Sequence, residues 1–141
     1  MTVYEWWTGT KTGIQTVYGV QYGGNTGTAA QTFTIGTVGN NEAFTLSTIT
    51  LEGYRVGSPG TVNVNVFAVG ANSEPTGATI SNGSFNGNTI TTSTDGEEIS
   101  VTMTSVRLLK SIEYAIIVTA PTGTFIPNNY FAWIRGGTLE V

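Results

Sequence analysis

The aromatic residues of this sequence are the side chains whose type and spacing best suit a chemical task, the stacking of ring faces on a ligand. Tyr54 precedes Arg55, while Tyr130 and Trp133 stand shortly before Arg135. An exposed ring can stack on one face of a sugar while a nearby arginine binds the hydroxyl groups. These five residues are therefore predicted to form a glycan platform. The alternative is that Trp133 fills the core, because successive residues of a strand point to opposite faces.

Acid–base and metal chemistry have few candidates in this chain. The absence of His and Cys removes the commonest general base, the usual zinc ligand and every thiolate site. The single Asp, Asp95, stands beside Glu97 and Glu98, a pattern that fits a weak calcium site or, more simply, a solvated acidic turn. We therefore expect a protein that is not an enzyme and that uses no metal and no cofactor.

The charge content is low for a soluble domain. Charged residues make up 10% of the 141 residues, and the net charge is −4. Five scattered basic residues cannot neutralise a row of phosphates, so no nucleic-acid partner is expected. No apolar stretch is long enough to span a bilayer, so no membrane partner is expected. If the protein acts outside a cell, host lysis or cleavage of a signal from a longer precursor would release it.

Alternation of apolar and polar residues predicts the main strands. In "TVNVNVFAV" (61–69) the valines share one face, and "ISVTM" (99–103) repeats the pattern. The run "YAIIVTA" (114–120) is apolar on both faces, which predicts a central strand that is covered on both sides. The predicted core comprises Val62, Val64, Val66, Ile99, Val101, Met103, Ile116 and Val118.

Further short strands, separated by turns rich in Gly, Pro and Asn, indicate an all-β protein. They are predicted at 15–22, 30–35, 44–54, 78–85, 88–92 and 130–135. Within 44–54 the apolar residues change from even-numbered to odd-numbered positions, which predicts a β-bulge near Ser47 and Thr48. A helical turn fits only residues 105–112. We expect an antiparallel, jelly-roll-like β-sandwich over residues 29–141.

Residues 1–28 differ from the rest of the chain, since they combine Gly and Thr with interspersed aromatic residues. Gly23 and Gly24 read as a flexible joint before the regular strands begin. We therefore predict an extended N-terminal arm that makes contacts between subunits, with its two tryptophans packed on another copy. The predicted interface residues are Tyr4, Trp6, Trp7, Tyr18 and Tyr22.

Several short segments carry a resemblance to a known family. In order they are "AQTFT", "LSTITLEGYRVGSPGTVNVNVFA", "EPTGATISNG", "ISVTM", "YAIIVTA" and "YFAWI", of which "PTG" after "VFA" is the most distinctive. Over residues 30–135 the chain resembles the choice-of-anchor R type of β-sandwich module, found in phage structural proteins and on prokaryotic cell surfaces. The resemblance implies a noncatalytic display or binding module and carries over no catalytic residues.

These observations lead to one expectation and two alternatives. We expect a structural protein on the exterior of a phage-like virion, a capsid decoration or attachment subunit that contacts further copies of itself, the major capsid protein or another virion protein. The first alternative is a carbohydrate-binding module that uses exposed aromatic residues. The second is an extracellular filament subunit whose arm completes the sheet of the next copy. Either alternative would place the protein in the extracellular space or on a cell surface.

Overall fold

Ten β-strands and two short 3-10 helices form the part of the chain that the structure describes. The computed structural model describes residues 6–7, 13–19, 26–36, 43–135 and 139–140. The strands are β1 (Trp6–Trp7), β2 (Gly13–Val17), β3 (Ala29–Thr34), β4 (Ala43–Val56), β5 (Thr61–Val69), β6 (Pro75–Asn86), β7 (Glu97–Leu109), β8 (Glu113–Thr119), β9 (Tyr130–Arg135) and β10 (Leu139–Glu140). The helices are η1 (Ala71–Ser73) and η2 (Gly87–Thr89). None of the described helices has the length and hydropathy needed to cross a bilayer.

The strands form two antiparallel sheets with the core between them. One sheet runs β1-β10-β4-β9-β2, with β7 on the other edge of β4, and the second runs β3-β8-β5-β6. Because β9 and β10 both pair with β4, and β2 and β1 pair with them in turn, the first sheet has four rows. The second sheet also has four rows, so the two sheets match in size.

The pairing of these rows is nested along the chain. The first row (β1 and β2) pairs with the last (β9 and β10), β3 pairs with β8, β4 with β7, and β5 with β6. Such nested antiparallel pairing, wound into two sheets, is the jelly-roll arrangement. The predicted all-β, jelly-roll-like sandwich is therefore confirmed.

The core forms where the apolar alternation of the sequence predicts it. All eight predicted core residues are buried, and Val62, Val64 and Val66 are fully so. Strand β8 lies between β3 and β5, which confirms that 114–120 forms an interior strand. Pairing of β4 with β7 shifts register between Leu46 and Thr48, which confirms the predicted bulge.

Two local predictions differ from the structure. Residues 105–109 continue strand β7, because Leu108 is fully buried opposite Phe44, so no helical turn forms over the predicted 105–112. The strand predicted at 88–92 is instead helix η2 and the loop that follows it. Its start is fixed by the Asn86 side chain, which accepts a hydrogen bond from the backbone N–H of Asn88.

The described part of residues 1–28 belongs to the sandwich, unlike the separate arm that the sequence predicts. Strand β2 pairs with β9 over its whole length, and Val17 is fully buried in the core. The backbone of Trp6 and Trp7 pairs with β10 of the same chain. Tyr18 then bridges to Gly27 through two backbone hydrogen bonds of 2.9 and 3.1 Å, which bring the chain across to the second sheet.

Candidate functional site

Strand β9 separates the predicted glycan-binding residues onto two faces of its sheet. Phe131 and Trp133 point into the core between the sheets, and Trp133 keeps only 5% of its surface exposed. Tyr130 and Ile134 have the opposite parity and belong to a second apolar cluster on the outer face. Of the two predicted alternatives for Trp133, the structure therefore shows the core position, and this ring offers no face to a ligand.

The outer-face cluster brings Tyr54 and Tyr130 together. Tyr54 is 8% exposed and packs with Ala132 and Ile134, against which Tyr130 also lies. The turn before β7 covers part of the outer-face cluster, since a methyl group at Gly96 would lie 2.4 Å from Cδ1 of Ile134. Tyr54, predicted as an exposed platform ring, is thus a covered ring, while Tyr130 remains half-buried.

Burial, with the neighbouring Tyr130 as a second cause, raises the pKa of the Tyr54 phenol above its ordinary value of 10.0. The folded chain therefore favours the neutral phenol, and this contribution to stability is complete below the ordinary pKa. It is lost as the pH rises through the raised pKa of the folded state. We expect the melting temperature to fall above about pH 10, and to fall less steeply in Tyr54→Phe. Parallel pH profiles of the two proteins in thermal unfolding would contradict this.

Arg55 serves to hold two loops. Its Nε donates a 2.9 Å hydrogen bond to the carbonyl of Ile90, and its Nη1 donates to the carbonyl of Gly57. The guanidinium is thereby fixed between the β4–β5 loop and the segment after η2. The side chain of Arg135, the other arginine predicted to bind a glycan, lies outside the described residues.

A row of aromatic rings lies at the edge of the outer-face cluster. Val17 pairs with Phe131 at the end of the two strands. Tyr18 directly follows Val17, and Tyr130 directly precedes Phe131. The ring centroid of Phe125 lies 5.4 Å from that of Tyr18 and 5.9 Å from that of Tyr130. Both distances are typical of interacting aromatic pairs.

Phe125 and its neighbour Ile126 expose apolar surface beside these rings. Phe125 is 36% exposed, and Ile126 is 62% exposed. Tyr18, Phe125, Ile126 and Tyr130 are called the aromatic tip below.

The turn that carries Phe125 and Ile126 is closed by its own hydrogen bonds. The backbones of Thr124 and Asn129 exchange two bonds of 2.7 and 2.8 Å. Thr124 Oγ1 donates to the carbonyl of Pro127 at 2.6 Å, and the Asn129 amide donates to Thr124 Oγ1 at 3.2 Å. Phe125 and Ile126 are therefore presented by a turn with few free torsions.

Side chains also join this turn to the neighbouring loops at the same end of the sandwich. Asn129 Oδ1 accepts the N–H of Ser58, and Thr122 Oγ1 donates to the carbonyl of Pro59. In the same way, Asn88 Oδ1 accepts the N–H of Gly60 at 2.9 Å. Three connections, β4–β5, β6–β7 and β8–β9, are thus fastened into one rigid loop end.

The acidic turn offers no assembled metal centre. Among the described residues, no three His, Cys, Asp or Glu side chains lie close enough together to hold an ion. Glu97 Oε1 instead accepts the backbone N–H of Thr91 at 2.9 Å, which fixes the loop between η2 and β7. Asp95 and Glu98, the other two residues of the possible calcium site, are exposed.

The predicted subunit-interface residues are described only in part. Tyr18 lies in the aromatic tip, next to Phe125. Of Trp6 and Trp7 only the backbone is described, and Tyr4 and Tyr22 lie outside the described residues. The predicted role of these four residues in contacts between subunits therefore stays a prediction.

The sequence contains a signal for the aromatic tip, but this signal lies in a turn and outside the alternating segments that predict the strands. "PTGTFIPNNY" (121–130) has the composition of a loop, yet it places two large apolar residues between Gly123 and Pro127. Apolar residues within a turn are either covered by the fold or available to a partner. Comparison with family models, with curated proteins and with solved structures found no match to this chain.

Proposed function

We propose that the protein is a non-enzymatic structural component on the exterior of a phage-like virion, a capsid decoration or attachment subunit. The observation that carries this proposal is the rigid loop end, which presents Phe125 and Ile126 on a turn held by hydrogen bonds. Apolar side chains that are fixed before binding lose little conformational entropy on contact, which suits a surface that docks. The low charge of the chain suits the same role, because few charges need to be desolvated.

The proposed contact lies at the loop end and no longer depends on a free arm. Strand β2 is paired with β9 in its own sheet, so residues 13–17 are less available to another subunit than the sequence indicated. The partner is a further copy of this chain, the major capsid protein or another virion protein. Closed symmetry in the assembly would fit a shell, and open helical symmetry would fit the filament alternative.

Incorporation into particles tests this proposal. Particles that lack the chain would be mixed with the purified protein and sedimented, and antibodies to the chain would be located on the particles by electron microscopy. We expect co-sedimentation, labelling of the outer surface, and at least about tenfold weaker incorporation of Ile126→Asp, because the change places a charge in a desolvated contact.

Ile112→Asp is the matched control. Ile112 is also an exposed isoleucine, but it precedes β8, whereas Ile126 lies in the loop that follows it, so the two residues stand at opposite ends of the sandwich. The control should incorporate like the wild type. Equal loss in both variants, or a wild-type protein that does not sediment with particles, would contradict the proposal.

A further inference from the structure

The aromatic tip has the ring arrangement of a small-ligand subsite. Phe125 lies against Tyr18 and Tyr130, which the sheet holds in place, and it still exposes 36% of its surface. The ring is thus supported by its neighbours and available to a ligand. The electron-rich face of such a ring attracts C–H groups, which a sugar presents on one side of its ring.

Polar groups that suit sugar hydroxyls surround the rings. Asn128 is exposed, and its side chain takes no part in the hydrogen bonds that hold the turn. Ser58 is exposed next to it, since a methyl group at Gly57 would contact the Asn128 carbonyl oxygen. An amide and a hydroxyl both donate and accept, as the hydroxyl groups of a sugar require.

The absence of basic residues in these loops sets the class of ligand. Residues 57–60, 87–96 and 120–129 contain no Lys or Arg, and their one acidic residue is Asp95. The nearby Arg55 already donates to two backbone carbonyls. An anionic glycan, a phosphate or an acidic lipid surface would find no cation in these loops to pair with.

We propose that the aromatic tip, with Asn128 and Ser58 at its rim, is a binding site for a neutral carbohydrate. The site differs from the platform expected from the sequence, because Trp133 and Tyr54 are covered and Phe125 takes their place. The site shares the loop end with the proposed particle contact, so a copy docked through Phe125 and Ile126 would not bind a sugar there at the same time. Binding itself is a property of the isolated chain.

The test titrates the purified chain with maltohexaose, cellohexaose and chitohexaose, and with a sulfated heparin hexasaccharide as the charged comparison. Calorimetry would give the affinity, and amide NMR shifts would locate the contact. We expect at least one neutral hexasaccharide to bind, to shift resonances of residues 124–130, and to bind more tightly than the heparin fragment. Phe125→Leu keeps an apolar side chain but removes the ring, so it should weaken binding by about tenfold or more.

Leu109→Ala is the control, because Leu109 is exposed at the far end of β7 and should not affect binding. Thermal unfolding of Phe125→Leu checks that the variant is folded. The proposal is overturned if none of the neutral hexasaccharides binds, if Phe125→Leu binds as well as the wild type, or if the heparin fragment binds best. It is also overturned if the exposed tip proves to bind neutral phosphatidylcholine vesicles instead of sugar. A wild-type chain that binds none of the sugars but still incorporates into particles would reject this site and leave the proposed function standing.

Discussion

Phe131→Ala is expected to destabilise the sandwich by about 3–5 kcal/mol. The Phe131 ring is fully buried and meets the ring of Phe85 edge to face, with centroids 5.4 Å apart. It also lies under β4, since a methyl group at Gly53 would come 2.5 Å from its Cε2 atom. Truncation would remove contacts to both sheets at once and leave a cavity that rigid strands cannot fill.

Urea denaturation followed by circular dichroism measures this loss. The midpoint should fall while the slope stays near that of the wild type, because the extent of unfolding is unchanged. Phe125→Ala is the matched control, because Phe125, in the turn before β9, contacts Tyr130 and is partly exposed. The loss of stability in Phe125→Ala should be clearly smaller than in Phe131→Ala. Equal costs for the two variants would mean that Phe131 is not the better packed of the two rings.

Deletion of residues 1–24 is expected to abolish cooperative folding. The deletion removes β2, which covers the edge of β9 and places the fully buried Val17 in the core. It also removes Ile14 from the outer-face cluster and Tyr18 from Phe125. The loss of one row of four would expose the edge of β9 and the apolar surface that Val17 and Ile14 cover on its two sides. Thermal unfolding of the truncated chain should show no sharp transition.

A peptide of residues 6–19 added to the truncated chain should restore the transition by strand addition. The same peptide with Val17→Asp should fail, because the charge would be buried without a partner. A truncated chain that melts like the full chain would mean that the segment is a separable arm after all. That result would return the predicted interface role to Trp6 and Trp7.

The sequence predicted the strands whose alternation is local and regular. In β5, three valines at a spacing of two specify one buried face, and the structure shows all three fully buried. The parity slip in β4 likewise identified the bulge between Leu46 and Thr48. These features depend on neighbouring residues only, so a single sequence suffices to read them.

The features that the sequence did not predict depend on partners far along the chain. The sequence predicts a strand at 15–22 but places it in a separate arm, and only the pairing of Gly13–Val17 with β9 shows that this strand belongs to the sandwich. The sequence left undecided whether Trp133 points into the core or outward for the same reason, since only packing against the second sheet determines its side. Phe125 lies in a turn, and its contacts with Tyr18 and Tyr130 follow from the meeting of β2, β9 and the loop.

The nested pairing of the rows also sets the order in which the protein can form during synthesis. Val17 pairs with Phe131, which the ribosome adds 114 residues later. At about 5–20 residues per second, β2 waits roughly 6–23 s for its partner, whereas β6 follows β5 at once. During that interval the nascent chain carries an unpaired first strand and an incomplete core. Slow translation of the second half of the message should therefore lower the soluble yield, and co-expressed chaperones that cover apolar segments should raise it.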